Sequence, residues 1–232
     1  MTTTLVFDCE TSGLPEPELL AMLPPFDASE VKTGNIKDPA KIAEKIAEVE
    51  KNHLRDFVDR AALDPLTGRI VAIGVLPYDP RGEAGPDWST PPQAVIIGHD
   101  DESQTLREFW GMVVSGDHGR LNPVVGFNIC MFDLPFLFRR SWKHGITPPP
   151  GLRRGRYWGD NVIDLRDLWQ LGDRQARGGL DAVARHLGVG SKTGNGAEFA
   201  DLWKRDRDAA EAYLKNDLAL TAAVAGRLGV CV

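Results

Sequence analysis

Thr4-Leu5-Val6-Phe7-Asp8-Cys9-Glu10-Thr11-Ser12-Gly13-Leu14 is the stretch from which the fold of this 232-residue chain is read. Leu5, Val6 and Phe7 are strand formers, and Ser12-Gly13 marks a stop. Side chains alternate across a strand, so Asp8 and Glu10 project from one face while Phe7 and Cys9 point from the other. Two carboxylates side by side at the end of an apolar strand repel each other, and burial sharpens the repulsion. A hard cation that prefers oxygen ligands, magnesium or manganese, relieves it. So does exposure to water, and the pair alone does not decide between the two.

Working outward, residues 15–65 have a different texture. Pro15, Pro17, Pro24, Pro25 and Pro39 punctuate the first half. From Pro39 to about Ala62, Ile42, Ile46, Val49, Leu54, Phe57, Val58 and Ala61 recur near helical spacing, with Lys41, Lys45, Glu48 and Lys51 opposite. This predicts an amphipathic helical insertion packed on the main body. A strand is predicted over residues 69–76, a loop over 77–92 with Asp79-Pro80-Arg81-Gly82 as its hairpin tip, and a strand over 93–98. Leu106, Phe109, Trp110 and Val113 mark the inward stripe of a helix. Residues 123–127 form a short buried strand, and Pro135 suits the first turn of a helix that carries Phe136, Leu137, Arg140 and Trp142 and closes at Gly145.

Further on, residues 148–156, with Arg153, Arg154 and Arg156, read as an exposed loop, and 162–165 as another strand. Leu180, Val183, Ala184 and Leu187 mark a helix ending at Gly188; 188–196 is a glycine-rich loop, and a last long helix runs over about 207–228. Three strands of antiparallel character followed by strand–helix alternation predict an α/β layered fold with a mixed sheet, as a single domain over 1–232.

Bulk properties narrow the class. Hydrophobic residues make up 42% and charged residues 26% of the chain, ordinary for a globular enzyme. No apolar run approaches the roughly 20 residues of a membrane helix, and Met1-Thr2-Thr3-Thr4 lacks the features of a secretory signal. Cys9, Cys130 and Cys231 have no metal-site spacing, and their odd number argues against a disulfide framework. Cys9 and Cys130 read as small core residues on strands, and the expected compartment is a reducing cytoplasm. A net charge of −6 argues against coating nucleic acid through a broad basic face. It leaves room for an enzyme that grips a few nucleotides at one end of a strand.

Two further carboxylates stand out. The last helix has an inward stripe of Ala210, Tyr213, Asp217, Leu220, Val224 and Leu228, which puts Asp217 on the apolar face one turn beyond Tyr213. An aspartate there either meets solvent at a cleft or binds something positive. Asp133 stands where a buried strand hands over to a helix, a place that favours aspartate for capping alone.

Asp8-Cys9-Glu10-Thr11, then Asn128-x4-Asp133-x-Pro135-Phe136-Leu137, then Tyr213-x3-Asp217 occur in this order. Together they resemble the three exonuclease motifs of the DEDD superfamily of 3′–5′ exonucleases, most of all the exonuclease domains of family B DNA polymerases and their stand-alone bacterial relatives. The resemblance runs from residue 4 to about 228, apart from 15–65. Where histidine-type members carry histidine, this chain has Ala212, and Tyr213 matches the tyrosine-type pattern.

The resemblance implies a ribonuclease H-like fold, a mixed sheet flanked by helices, in which Asp8, Glu10, Asp133 and Asp217 converge. It implies two divalent cations, Mg2+ or Mn2+, about 3.5–4 Å apart. Asp8 would bridge both, Glu10 and Asp217 would complete the first, and Asp133 would hold the second through water. Tyr213 would aim the attacking water, and 5′-mononucleotides would leave one at a time. Thr11 would meet the terminal 3′-OH, Leu14 would lie near the last base, and Asn128 would touch the substrate backbone. Lys192, Arg139 and Lys143 are candidate phosphate partners.

The implied substrate is the 3′ end of a single strand, DNA ahead of RNA. An exoribonuclease of ribonuclease D type and a catalytically silent nucleic-acid-binding module are the rival readings. A polymerase or repair partner would dock on the helical insertion.

Overall fold

The computed structural model describes residues 3–78, 93–115, 119–173 and 175–230. They divide into two compact units, Met1–Thr11 with Ile70–Val232, and Ser12–Arg69. The predicted hairpin tip at Asp79–Gly82 lies outside the described residues.

The larger unit is built on a five-stranded sheet. In chain order its strands are β1 (Thr4–Gly13), β2 (Gly68–Tyr78), β3 (Val95–Ile97), β6 (Val124–Gly126) and β9 (Val162–Asp164), lying in the spatial order β3-β2-β1-β6-β9. Strand β3 runs antiparallel to β2, whereas β6 pairs in parallel with both β1 and β9, so the sheet is mixed. Two small ribbons complete the strands: β4 (Val114–Ser115) with β5 (Arg120–Leu121), and β7 (Arg153–Arg154) with β8 (Tyr157–Trp158).

Alternation along β1 sorts the core into two layers. Leu5, Phe7 and Cys9 join one apolar cluster with Leu106 and Phe109 of α3 (Glu102–Val113) and Leu134 and Leu137 of α4 (Asp133–Lys143). Val6 joins the other, with Val183 of α6 (Leu180–Leu187) and Leu218, Leu220 and Val224 of α8 (Arg207–Arg227). Each large apolar side chain so buried contributes about 1.5–3 kcal/mol. Helix α8 lies close against β2 because Gly74 has no side chain: a Cβ there would meet Leu218 Cδ1 at 2.7 Å and Leu214 Cγ at 2.9 Å. Helices α5 (Leu165–Gln170) and α7 (Phe199–Arg205) fill the remaining connections.

An ion network ties β2, α3 and α4 together. Glu102 accepts the Ile70 N–H at 2.7 Å, both sides of the Arg140 guanidinium, and His144 Nε2 at 2.7 Å. Glu102 and Arg140 are both buried.

In the smaller unit, α1 (Glu16–Met22) and α2 (Pro39–Arg60) follow Pro15 and Asp38, the latter capping α2 through the Ala40 N–H. Leu14, Leu19 and Ala61 form a small cluster against Phe57. No residue of α2 is buried, and Leu54 and Val58 are exposed. Periodicity predicts a face that can be buried, not a neighbour that covers it.

Residues 148–156 are only in part the exposed loop expected: Pro150, Gly151, Arg153, Gly155 and Arg156 are exposed. Pro148 and Pro149 are buried, Leu152 is fully enclosed, and a two-residue ribbon follows. The apolar residues among the arginines decide the packing there. Cys130, expected on a strand, falls instead in the turn before α4.

Candidate active site

Asp8 and Glu10 lie beyond the β1 residues that pair with β6, toward the carboxyl end of the strand. They share the face of Val6, which is the face covered by α8. Helix α8 carries Asp217 one turn after Tyr213, and its inward stripe buries Asp217 completely. Oxygens of Asp8, Glu10 and Asp217 lie within 4.8 Å of one another. Three carboxylates drawn from one strand and one helix thus share one small volume.

Electrostatics show the strain of that arrangement. Burial pushes the Asp8 carboxyl well above the usual range, and Asp133 and Asp217 push it further while Lys192 opposes. Glu10 is raised by burial and then by Asp8, again against Lys192. Asp217 is raised chiefly by burial, which outweighs its pairing with Lys192. Lys192 Nζ stands 2.6 Å from Asp217 Oδ2, and the Tyr213 hydroxyl also faces this carboxylate. Each carboxylate oxygen can accept more than one bond, so acceptor capacity remains. Buried oxygens so placed suit a hard divalent cation, so these acidic groups could bind a metal ion.

Tyr213 is buried, with its hydroxyl beside Asp217. Its ring lies 5.9 Å from that of Phe199, and Lys192 Nζ stands 5.6 Å from the ring centroid. The glycine-rich loop passes over this tyrosine. A Cβ at Gly194 would come to 3.0 Å from its ring, and one at Gly196 would sit 3.5 Å from Glu10 Oε2 and 3.6 Å from the Tyr213 hydroxyl. The loop is held from behind by Asp181, which accepts the Lys192 N–H at 2.8 Å.

Asp133 opens α4 on the opposite layer and reaches the same strand end. Its Oδ1 accepts the Cys9 N–H at 3.2 Å, and burial raises its carboxyl although that hydrogen bond opposes. It lies outside the group of three closest carboxylates. Cys130, Asp164 and Asp167 form a second close group. There Asp164 already accepts N–H groups from Asn128 and Cys130, each at 2.8 Å, and from Arg166 at 2.9 Å. It acts as a strut between β9 and the turn after β6.

The model of a family described as "Predicted 3′-5′ exonuclease related to the exonuclease domain of PolB" matches residues 68–228. The chain belongs to that family. The matched span of this PolB-related exonuclease family holds Asp133, Tyr213 and Asp217, whereas Asp8 and Glu10 precede it. Among solved structures, the family B DNA polymerase from the hyperthermophilic archaeon Pyrobaculum calidifontis is similar, with 17% identity and a TM-score of 0.58. The likeness covers 97% of this chain and 24% of the polymerase chain, so the present chain spans about a quarter of that protein. It is a likeness of fold, and the mixed sheet flanked by helices is the ribonuclease H-like exonuclease architecture. No curated protein matches the chain. No helix among the described residues is long and apolar enough to cross a membrane.

The remaining sequence candidates fall on several elements. Thr11 follows Glu10 on β1 and is partly buried. Leu14 is buried beside Leu19 and Ala61 in the smaller unit. Asn128, in the left-handed region at φ 67°, follows β6 and accepts a hydrogen bond from Arg166 Nη1 at 2.9 Å. Arg139 and Lys143 are exposed on α4. Sequence reasoning missed the pairing of Lys192 with Asp217, the service of the Cys9 backbone to Asp133, and Arg166. The Gly194-x-Gly196 spacing was the available sign that the loop closes on something.

Proposed function

We propose that this protein is a metal-dependent 3′–5′ exonuclease that hydrolyses single-stranded DNA from its 3′ end and releases 5′-mononucleotides. The observation that carries the reading is the meeting of Asp8, Glu10 and Asp217 within 4.8 Å, beside Asp133 and the buried Tyr213. Asp8, Glu10, Asp217 and Asp133 would hold divalent cations, magnesium or manganese. When bound, these supply a water of lowered pKa and stabilise charge on the departing 3′ oxygen.

The chain's own residues would do the rest. Tyr213 donates its hydroxyl to the attacking water and fixes its direction toward phosphorus. A bond forms between that oxygen and phosphorus while the bond to the 3′ oxygen breaks; the proton given up by the attacking water passes to solvent, and the leaving 3′ oxygen takes one from solvent. Gly196, lacking a side chain, leaves the space in front of Glu10 and Tyr213 open for the terminal nucleotide. Lys192 balances part of the negative charge and faces the phosphate side as a cation. The fold shared with a DNA polymerase supports DNA as the substrate.

Strands labelled at the 3′ or the 5′ end, as DNA and as RNA, test the reading with magnesium, manganese or EDTA present. The expected result is immediate release of the 3′ label as mononucleotide from DNA, abolished by EDTA and by Asp217→Asn. Release from the 5′ end, or activity indifferent to the chelator, contradicts it. Preference for RNA selects the exoribonuclease reading, and binding without cleavage selects the silent module.

A further inference from the structure

Beyond the carboxylates, the carboxyl ends of the parallel strands carry a second feature. Strand β9 lies next to β6, with Gly126 opposite Asp164, and β6 lies next to β1. Arg166, two residues after β9, therefore falls on the same edge as Asn128 after β6 and Glu10 at the end of β1. Arg166 Nη1 donates to Asn128 Oδ1, which links the two positions directly. In sheets of this kind ligands bind along that edge.

Arg166 also lines a pocket of about 520 Å³ with Gln175, Arg177, Gly178 and Gly179. Neither arginine forms an ion pair among the described residues. In a chain of net charge −6, two guanidinium groups in one polar pocket form a local anion site, with the Asp167 carboxylate offsetting part of the Arg166 charge. The N-terminus of α6 borders it as well, since its cap Gly179 has no side chain to accept the first N–H groups. Guanidinium forks suit phosphate oxygens.

We infer that the Arg166–Arg177 pocket binds a backbone phosphate of the substrate strand, upstream of the bond that is cut. The inference rests on the exonuclease reading. From β1 to β9 is two strand spacings, about 10 Å, so the gripped phosphate lies no more than a few nucleotides 5′ of the scissile one. The site adds affinity for strands long enough to reach it.

Two measurements on wild type, Arg177→Gln and Arg166→Gln/Arg177→Gln test this. The first is binding of a ten-nucleotide DNA in EDTA as salt is varied. The slope of log affinity against log salt should fall by about 0.7 for each arginine removed. The second is hydrolysis of ten-nucleotide and two-nucleotide substrates, where the rise in KM on the longer one should exceed that on the shorter about tenfold. Equal slopes in all three proteins, or equal effects at both lengths, overturn the site. Inorganic phosphate that binds the wild type and not the variants, with the length effect absent, means a pocket for free anions and also overturns it. A wild type that cuts nothing but shows the slope change refutes the nuclease and keeps the strand site.

Discussion

Asp8 stands where repulsion from Asp133 and Asp217 adds to the cost of burial. Without a cation, the folded protein therefore disfavours its charge. Replacing Asp8 by Asn keeps the shape and removes that charge. In EDTA the variant should be more stable than wild type by about 1 kcal/mol, or about 2–4 °C in melting temperature for a chain of this size. It should also lose the stabilisation that manganese gives the wild type. A variant that melts lower in EDTA would show that the carboxylates are not in conflict.

Tyr213→Phe separates chemistry from packing at a neighbouring position. The ring stays packed on Phe199 when the hydroxyl is removed, so stability should change by no more than about 1 kcal/mol. The turnover rate kcat should fall about tenfold to a hundredfold, at the lower edge of what a positioned proton donor or acceptor contributes. An unchanged kcat would reduce the tyrosine to a core aromatic. Asp8, Glu10, Tyr213 and Asp217 were legible in the sequence because the periods of strand and helix place them. Lys192 was not read as the partner of Asp217, since its position depends on how a loop without period folds back.

At the scale of elements, the Glu102 network decides how α4, and with it Asp133, is seated. Burial pushes the Glu102 carboxyl up, but hydrogen bonds from Arg140, the Ile70 N–H and His144 outweigh it and hold the group below its ordinary value of 4.5. A carboxyl depressed in the folded state adds stability above its unfolded value, and that share disappears as pH falls through the folded one. Urea unfolding of the wild type should show a loss of stability on acidification below about pH 4.5 that Glu102→Gln shows less steeply. At pH 7 the variant takes the Glu102 charge from a buried ion pair and should be about 3 kcal/mol less stable. Equal stability at pH 7, or parallel acid profiles, would remove the network from this role. The network escaped sequence reading because Glu102 looks like an ordinary first-turn acid. Helices α5 and α7, of 6 and 7 residues, are too short to establish a period. The stripe of α2 was legible, but its exposure was not, because burial depends on what lies across from a helix.

For the whole molecule, the order β3-β2-β1-β6-β9 brings together carboxylates that lie far apart in the chain. Parallel pairing of β1, β6 and β9 gathers their carboxyl ends on one edge, and α3, α4, α6 and α8 close the two faces behind it. Strand–helix alternation announced this architecture, and the motif order announced its acidic cluster. The arginine pocket had no such signal, for Arg166 and Arg177 are joined only by the loop between α5 and α6. Everything proposed for the edge depends on cations held by Asp8, Glu10 and Asp217. Calorimetric titration of the protein with manganese tests that most directly: the wild type should bind the ion, and Asp217→Asn should lose the site while remaining folded. A wild type that takes up no manganese, or a variant that binds it as well as the wild type, would contradict the account.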